Sequence, residues 1–147
     1  MDINRQAPVT ASHKIIINAP QEIIWNILTN DNSWSEWHPD ISKANLEGEF
    51  APNSEFKWKS GGFGIVSTVR EVTPRSHIAW TGKAFGAKAV HIWNLTAHDN
   101  SVLVETKESF EGWLVNLMKG SMKKTLDSAL AVWLESLKKK AERFRNQ

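Results

Sequence analysis

The sequence predicts an α+β fold in which one curved antiparallel β-sheet of about seven strands packs against a long C-terminal helix. Six short segments between Ile41 and Glu111 alternate apolar and polar residues and are separated by turn signals. From about Gly112 to Phe144, apolar residues instead recur at steps of three and four, as in one amphipathic helix. A sheet with one apolar face needs a covering element, and a terminal helix of this length provides it.

The elements before the hairpins are short. Residues 1–11 are polar and lack periodicity, which predicts a flexible arm, and the apolar run Lys14–Ile17 predicts the first strand. Pro20 suits the first turn of a helix, and the pattern after it predicts a helix to about Thr29. The segment Ser33–Glu36 fits a capping box and predicts a second, very short helix, which Pro39 ends.

Tight turns divide the middle of the chain into hairpins. We assign turns to Gly61-Gly62, Pro74-Arg75, Phe85-Gly86 and Asp99-Asn100. The strands between them cover about residues 53–58, 63–73, 78–83, 88–98 and 102–110.

Two-residue turns fix which residues face each other across the strands. They place His91 opposite both Trp80 and Glu108. The other predicted pairs are Ile78–Trp93, Trp93–Thr106, Gly82–Ala89, Ala89–Phe110, Val69–Trp80, Ser67–Gly82, Phe56–Ser67 and Trp58–Ile65. In this register every second residue of each strand points to the same face of the sheet, and the aromatic and apolar residues fall on one inward face.

The terminal helix is predicted to cover that face without a break. Its buried stripe comprises Leu126, Leu130, Trp133, Leu137, Ala141 and Phe144, and Trp113, Leu114, Leu117 and Met118 extend the stripe upstream. Gly120 is the expected site of any bend, because glycine inside a helix is unfavourable unless packing or a ligand requires it.

Composition narrows the functional classes. We assign residues 12–147 to a single domain, because 147 residues suffice for one core. The chain has 18 Lys and Arg against 16 Asp and Glu, so its charge predicts no nucleic-acid partner. It has no cysteine, which excludes thiol chemistry and is compatible with a cytoplasmic location. Its five histidines lack metal-ligand spacing, so we expect no metal site. No apolar stretch approaches the length of a membrane span, so we expect none. We also expect no cofactor, and a homodimer stays open.

Five sequence segments resemble the START-like superfamily, and most closely its polyketide cyclase/dehydrase-like branch. They are Ile17–Pro20 with Ile24-Trp25, Trp34–Pro39, Val72–Arg75, Ile78–Gly82 and Glu108–Gly112, and the similarity covers about residues 12–144. The resemblance implies the helix-grip fold, with a ligand cavity between the sheet and the long helix. It specifies chemistry poorly, because such folds include lipid carriers, hormone receptors and cyclases.

The inward face supplies the candidate ligand-binding residues. They are Trp37, Phe56, Trp58, Ser67, Val69, Trp80, Gly82, His91, Trp93, Thr106, Glu108, Phe110, Trp113 and Leu117. Eight tryptophans without a tyrosine fit an aromatic cage or a filled core. Trp34 and Trp37 are expected at the rim of the opening, and Trp25 and Trp133 in the core. His38 is expected in an exposed loop, with a position at the pocket mouth as the alternative.

Three functions stay open. The first is a carrier or sensor of a small hydrophobic or aromatic molecule, oriented by His91, Glu108 and Thr106. The second is a cyclase- or dehydratase-like enzyme in which Glu108 and His91 are the acid and base, whereas a self-satisfied buried pair is the structural alternative. The third is a co-chaperone-like protein-interaction module, which an exposed apolar patch would favour.

Overall fold

One antiparallel sheet forms the body of the protein in the computed structural model, which describes residues 1–145. Its strands there are β1 (Val9–Ile17), β2 (Ile41–Leu46), β3 (Glu55–Ser60), β4 (Phe63–Thr73), β5 (His77–Ala84), β6 (Ala87–His98) and β7 (Ser101–Glu111). They lie in the order β1-β7-β6-β5-β4-β3-β2, so the first strand pairs with the last and the others follow as hairpins. The predicted fold class is confirmed.

Every cross-strand pair predicted above is present, including Trp80 with His91 and His91 with Glu108. One of the turns is nevertheless longer than predicted, because residues 74–76 separate β4 from β5. A β-bulge between Val69 and Glu71 shifts the register back by one residue. The pairs beyond the bulge therefore agree with a two-residue turn, although the turn itself has three residues.

The N-terminal strand begins earlier than predicted. The sequence analysis placed residues 9–11 in a flexible arm, but Val9 and Ala11 are buried and Val9 pairs with Phe110 at the end of β7. Upstream, the Asn4 N–H donates a hydrogen bond of 3.1 Å to Ser109 Oγ. The polar residues of this segment alternate with buried ones, which is the pattern of an edge strand with one solvent-facing side.

The helical elements are α1 (Gln21–Thr29), a 3-10 turn (Asp31–Ser33), α2 (Trp34–Trp37), α3 (Trp113–Leu117) and α4 (Lys119–Arg145). The predicted capping box is wrong, since Ser33 makes no side-chain cap hydrogen bond. Its hydroxyl oxygen instead accepts a 3.0 Å hydrogen bond from Asn30 Nδ2. The side chain thus stabilises the 3-10 turn that leads into α2.

The prediction of an unbroken terminal helix is wrong at Met118, where the backbone leaves helical geometry (φ −126°, ψ 40°) and separates α3 from α4. A hydrogen bond of 3.1 Å from the Leu114 N–H to the Gly86 carbonyl ties α3 to the β5–β6 turn. Gly112, at φ +126°, provides the sharp change of direction that this docking requires. Gly120 lies in the first turn of α4 with open space around it, so it marks no close packing.

Helix α4 packs on β1 and against α1 through the predicted stripe. Leu126, Leu130, Trp133, Leu137 and Ala141 are buried, whereas Phe144 is half exposed, contrary to expectation. The larger apolar cluster lies between the inner face of the sheet and the helices, and a smaller one joins Val9 and Ala11 to Val115, Leu126 and Leu130. None of the helices within residues 1–145 is both long and apolar enough to cross a membrane.

Candidate functional site: an aromatic cluster around a buried polar group

The inner face of the sheet meets α2 and α4 in a group of large rings that we name the aromatic cluster. Its members are Trp34, Phe56, Trp58, Trp80, Trp93 and Trp133. The Trp34 ring centroid lies 5.0 Å from that of Trp133 and 5.6 Å from that of Trp80. The contact with Trp133 is edge to face and that with Trp80 is tilted, and both centroid distances lie in the range that is favourable for aromatic pairs. Trp34 and Trp133 therefore occupy space in which the sequence analysis expected a cavity.

Two predictions about the α2 segment are wrong. Trp34, expected at the rim, is fully buried, and its Nε1–H donates a 3.1 Å hydrogen bond to the Leu28 carbonyl. His38, expected in an exposed loop, is only 2% exposed, and its ring centroid lies 4.5 Å from that of Trp133. The chain after α2 thus turns inwards at His38 and completes one side of the aromatic cluster.

A polar group formed by His91, Thr106 and Glu108 borders the cluster on β6 and β7. His91 Nε2 lies 2.7 Å from Thr106 Oγ1, and the Thr106 hydroxyl lies 3.2 Å from the Ile92 carbonyl. Since that carbonyl accepts the hydroxyl proton, the imidazole donates through Nε2–H and leaves Nδ1 as an acceptor. Glu108 Oε1 is 3.3 Å from this Nδ1, but the two atoms do not meet in hydrogen-bond geometry.

Burial keeps the members of the polar group neutral. It raises the pKa of Glu108 to about 8 and lowers the pKa of His91 to about 3. At neutral pH Glu108 is therefore a protonated acid and His91 a neutral base. The Glu108 side chain is still 14% exposed, so it is the member that solvent reaches. Rotation of its carboxyl group would allow the hydroxyl to donate to Nδ1.

Three buried polar atoms of the site lack a hydrogen-bond partner among the described residues. They are His38 Nε2, His91 Nδ1 and Trp93 Nε1. All three rings pack around Trp133, with centroid distances of 4.5, 6.1 and 5.4 Å. An unpaired buried polar group costs on the order of 1–3 kcal/mol. Three rings close to the Trp133 indole thus each carry one polar atom without a partner.

Ser67 and Gly82, at the other side of the cluster, support the position of the Trp58 indole. Ser67 Oγ accepts a 3.0 Å hydrogen bond from Trp58 Nε1–H. Gly82 lies opposite Ser67, and a Cβ atom at Gly82 would stand 3.1 Å from the same hydroxyl. The absence of a side chain at Gly82 therefore leaves room for the hydroxyl that satisfies the Trp58 indole.

A surface depression of about 270 Å³ lies beside the cluster, between α1, α2 and the C-terminal end of α4. Ile27, Trp37 and Phe144 are among the residues that line it. The Trp37 ring centroid is 5.9 Å from that of Trp133. Trp37 accordingly lies between the depression and the aromatic cluster.

A family model described as polyketide cyclase / dehydrase and lipid transport matches residues 8–142. The chain belongs to this family. Solved structures with the same fold include a hypothetical protein of Helicobacter pylori (TM-score 0.83, 18% identity, covering 93% of this chain and 90% of that one). A START superfamily protein from Mycobacterium smegmatis has a TM-score of 0.80 at 15% identity, with coverage of 92% and 98%. The Zhui aromatase/cyclase from a Streptomyces species has a TM-score of 0.80 at 14% identity, with coverage of 91% and 93%. No curated protein matches the sequence.

Apart from Trp37, which lines the depression, the predicted site residues of this polyketide cyclase/dehydrase and lipid transport family member fall into three groups. Ten lie together on the inner face of the sheet: Phe56, Trp58, Ser67, Val69, Trp80, Gly82, His91, Trp93, Thr106 and Glu108. Phe110 packs instead in the smaller apolar cluster. Trp113 and Leu117 are exposed on α3, because the helix break turns them away from the sheet.

Sequence reasoning missed the contributions of Trp34 and His38 to the site of this family member. A usable signal was present, since the two residues are four positions apart and share one face of a helical turn. Trp133 was expected in the core and lies there, but its position among unpaired polar atoms required the tertiary structure.

Proposed function

We propose that the protein binds a small, uncharged aromatic molecule carrying a ketone or phenol oxygen at the place that the Trp133 indole fills. The unpaired polar atoms of His38, His91 and Trp93 around that indole are the observation that carries this proposal. Polar groups inside an otherwise apolar site fix the orientation of a ligand and supply its specificity. Family membership supports a ligand-binding role of this kind.

The protonation of the site argues for acceptor atoms on the ligand. His38 Nδ1 accepts a 3.1 Å hydrogen bond from the Asp40 N–H, and burial lowers the pKa of His38 to about 4. Neutral His38 therefore carries its proton on Nε2, which is a donor, as is Trp93 Nε1. Glu108 adds a third donor while it is protonated. The donors thus outnumber the single unpaired acceptor, His91 Nδ1, and none of these groups is charged, which favours a neutral ligand with acceptor oxygens.

Access to the site runs past Trp37 in this proposal. The ligand enters through the depression beside α1 and displaces the Trp133 side chain, whose indole has the size of a bicyclic aromatic ring. The cost of moving one buried tryptophan is offset when the ligand replaces its contacts and pairs the unpaired polar atoms. Binding therefore depends on a rearrangement of α4 or of the Trp133 rotamer, because side chains fill the site.

The test uses a variant in which the indole is removed. Trp133→Ala should bind indanone, a bicyclic aromatic ketone, about tenfold more tightly than indane, which has the same shape without the oxygen. Isothermal titration calorimetry measures both affinities. Trp25→Ala, a truncation of a tryptophan outside the aromatic cluster, is the matched control and should bind neither compound. Equal affinities for indanone and indane in Trp133→Ala would contradict the proposed polar recognition.

A second candidate function is a cyclase- or dehydratase-like enzyme, favoured by the opposite pKa shifts of Glu108 and His91. A protonated carboxyl group and a neutral imidazole 3.3 Å apart could donate and accept protons at a carbon next to a carbonyl group. Proton exchange at that carbon in a trial ketone, followed by NMR in deuterated water, tests for it. Glu108→Gln and His91→Ala should both abolish enzyme-dependent exchange. Exchange at the parent rate in both variants would eliminate the enzyme hypothesis and leave binding untouched.

A further inference from the structure

A group of exposed apolar side chains lies at the N-terminal end of α4, the opposite end from the depression near Trp37. It comprises Phe85 at the β5–β6 turn and Trp113, Leu117 and Met118 of the α3 segment, and we name it the α3 patch. Phe85 is 79% exposed and Leu117 is 75% exposed. Four large apolar side chains close together in solvent are unfavourable for an isolated molecule and mark a surface with a partner.

The α3 patch is held in place by the fold. The Phe85 and Trp113 rings meet edge to face with centroids 5.4 Å apart. The hydrogen bond from Leu114 to the Gly86 carbonyl joins the turn to α3, and Cβ atoms on Gly86 or Gly112 would collide with the opposite segment. The patch is therefore a preformed surface that two separate parts of the chain build together.

Its surroundings are basic. Lys83 and Lys88 flank Phe85 on β5 and β6, and Lys119, Lys123 and Lys124 follow Met118 in the first turns of α4. Residues 82–96 and 112–126 contain no aspartate or glutamate. Two acidic residues lie against this rim: Glu111 pairs across the sheet with Lys88, and Asp127 lies 3.3 Å from Lys123 Nζ. The apolar patch thus lies within a positively charged rim.

We propose that the α3 patch docks the protein on the surface of an anionic lipid bilayer. Aromatic and aliphatic side chains beside lysines are the combination that inserts into the headgroup region of such a surface. The high exposure of Phe85 and Leu117 means that they protrude, which suits insertion and does not suit a groove for a partner helix. A symmetric contact with a second copy would bring the same lysines face to face, so like charges oppose a dimer through this patch.

The experiment is co-sedimentation of the full-length protein with vesicles. The parent should sediment with vesicles of equal parts phosphatidylcholine and phosphatidylserine, and much less with phosphatidylcholine alone. Leu117→Ser should weaken binding to the anionic vesicles about tenfold, because an inserted leucine contributes apolar burial. Lys119→Gln with Lys124→Gln should weaken it by roughly fivefold per lysine. These side chains are exposed, so the variants should fold like the parent.

Phe63→Ser is the matched control, since Phe63 is equally exposed but lies at the β3–β4 turn. It should sediment like the parent. Parent-like binding by Leu117→Ser, or equal loss in Phe63→Ser, would overturn the proposal. Failure of the parent to bind either vesicle would overturn it as well, as would an oligomer in sedimentation velocity that Leu117→Ser disrupts. None of these results depends on whether the aromatic cluster binds a ligand.

Discussion

The free energy of unfolding of Glu108→Gln should rise relative to that of the parent as the pH increases from 6.5 to 8. Burial raises the pKa of Glu108 from 4.5 to about 8, so the folded protein keeps a proton that the unfolded chain releases. A raised pKa of this kind gives stability that is complete below pH 4.5 and is lost as the pH rises towards 8. The loss is at most ~1.4 kcal/mol per pH unit, or about 1.5 kcal/mol over this interval in the parent. Glutamine does not titrate, so Glu108→Gln should not lose this stability as the pH rises.

The chosen interval isolates Glu108 from the other shifted buried groups. Burial lowers the pKa values of His38 and His91 from 6.5 to about 4 and about 3, so above pH 6.5 both side chains are neutral in the folded state. Their remaining titration in the unfolded chain is shared by the parent and Glu108→Gln and cancels in the difference between them. Burial raises the pKa of Asp31 to about 6, so this carboxylate is largely ionised in both states.

Urea unfolding at a series of pH values measures the free energy of unfolding of the parent and of Glu108→Gln. Glu105→Gln is the matched control, because Glu105 lies on the opposite face of the same strand. The free energy of unfolding of Glu108→Gln minus that of the parent should increase with pH. The same difference for Glu105→Gln should stay constant. A pH-independent difference for Glu108→Gln would refute the assignment of a buried neutral acid.

Further predictions concern the helix junction and the cluster. Gly112→Ala should destabilise the protein by about 2–4 kcal/mol, because its Cβ would collide with a backbone carbonyl at a strained φ, whereas Gly120→Ala should stabilise it by up to about 1 kcal/mol; urea unfolding compares the two. Trp34→Ala should lower the free energy of unfolding by about 3–5 kcal/mol and Trp113→Ala by less than about 1 kcal/mol, since only the Trp34 ring is buried. Thermal unfolding measures both variants, and an equal decrease of Tm in the two would contradict this prediction. The contribution of His38 to stability should be lost as the pH falls from 6.5 to 4, because the unfolded chain protonates His38 first. Protonation of Glu108 and Asp31 stabilises the folded state over the same range, so the test is the difference: in urea titrations the free energy of unfolding of His38→Gln should rise relative to that of the parent as the pH falls.

The sheet was predictable because its signals are local. Each turn is marked by two adjacent residues, such as Gly61-Gly62 or Asp99-Asn100. Alternation with a period of two then identifies the inward face of each strand. The bulge at Arg70 could not be inferred, because it compensates for an additional turn residue that has no sequence signature of its own. The bulge and the additional turn residue offset each other, so Val69 still pairs with Trp80. The pairs of Trp80 with His91 and of His91 with Glu108 depend on other turns, which were predicted correctly.

The side chains that fill the site were less predictable than the strand residues that border it. Periodicity identified Trp133 as a buried position of the terminal helix, and the strand register identified Trp93 and His91. Nothing local shows that Trp34 fills the space in front of these residues, because that depends on how α2 packs across the sheet. The exposure of Leu117 depends in the same way on the break at Met118, where docking of α3 on a distant turn outweighs continuous helical periodicity.

The sequence by itself determined the strand order along the chain, the inward face, and the pairing of His91 with Glu108, since backbone geometry forces residues of one parity to the same side. The tertiary structure decided whether the enclosed space is open or filled, and which side chains keep unpaired polar atoms. Those outcomes depend on the packing of α2, α3 and α4 against strands far away in the chain, and close packing is a property of the assembled interior.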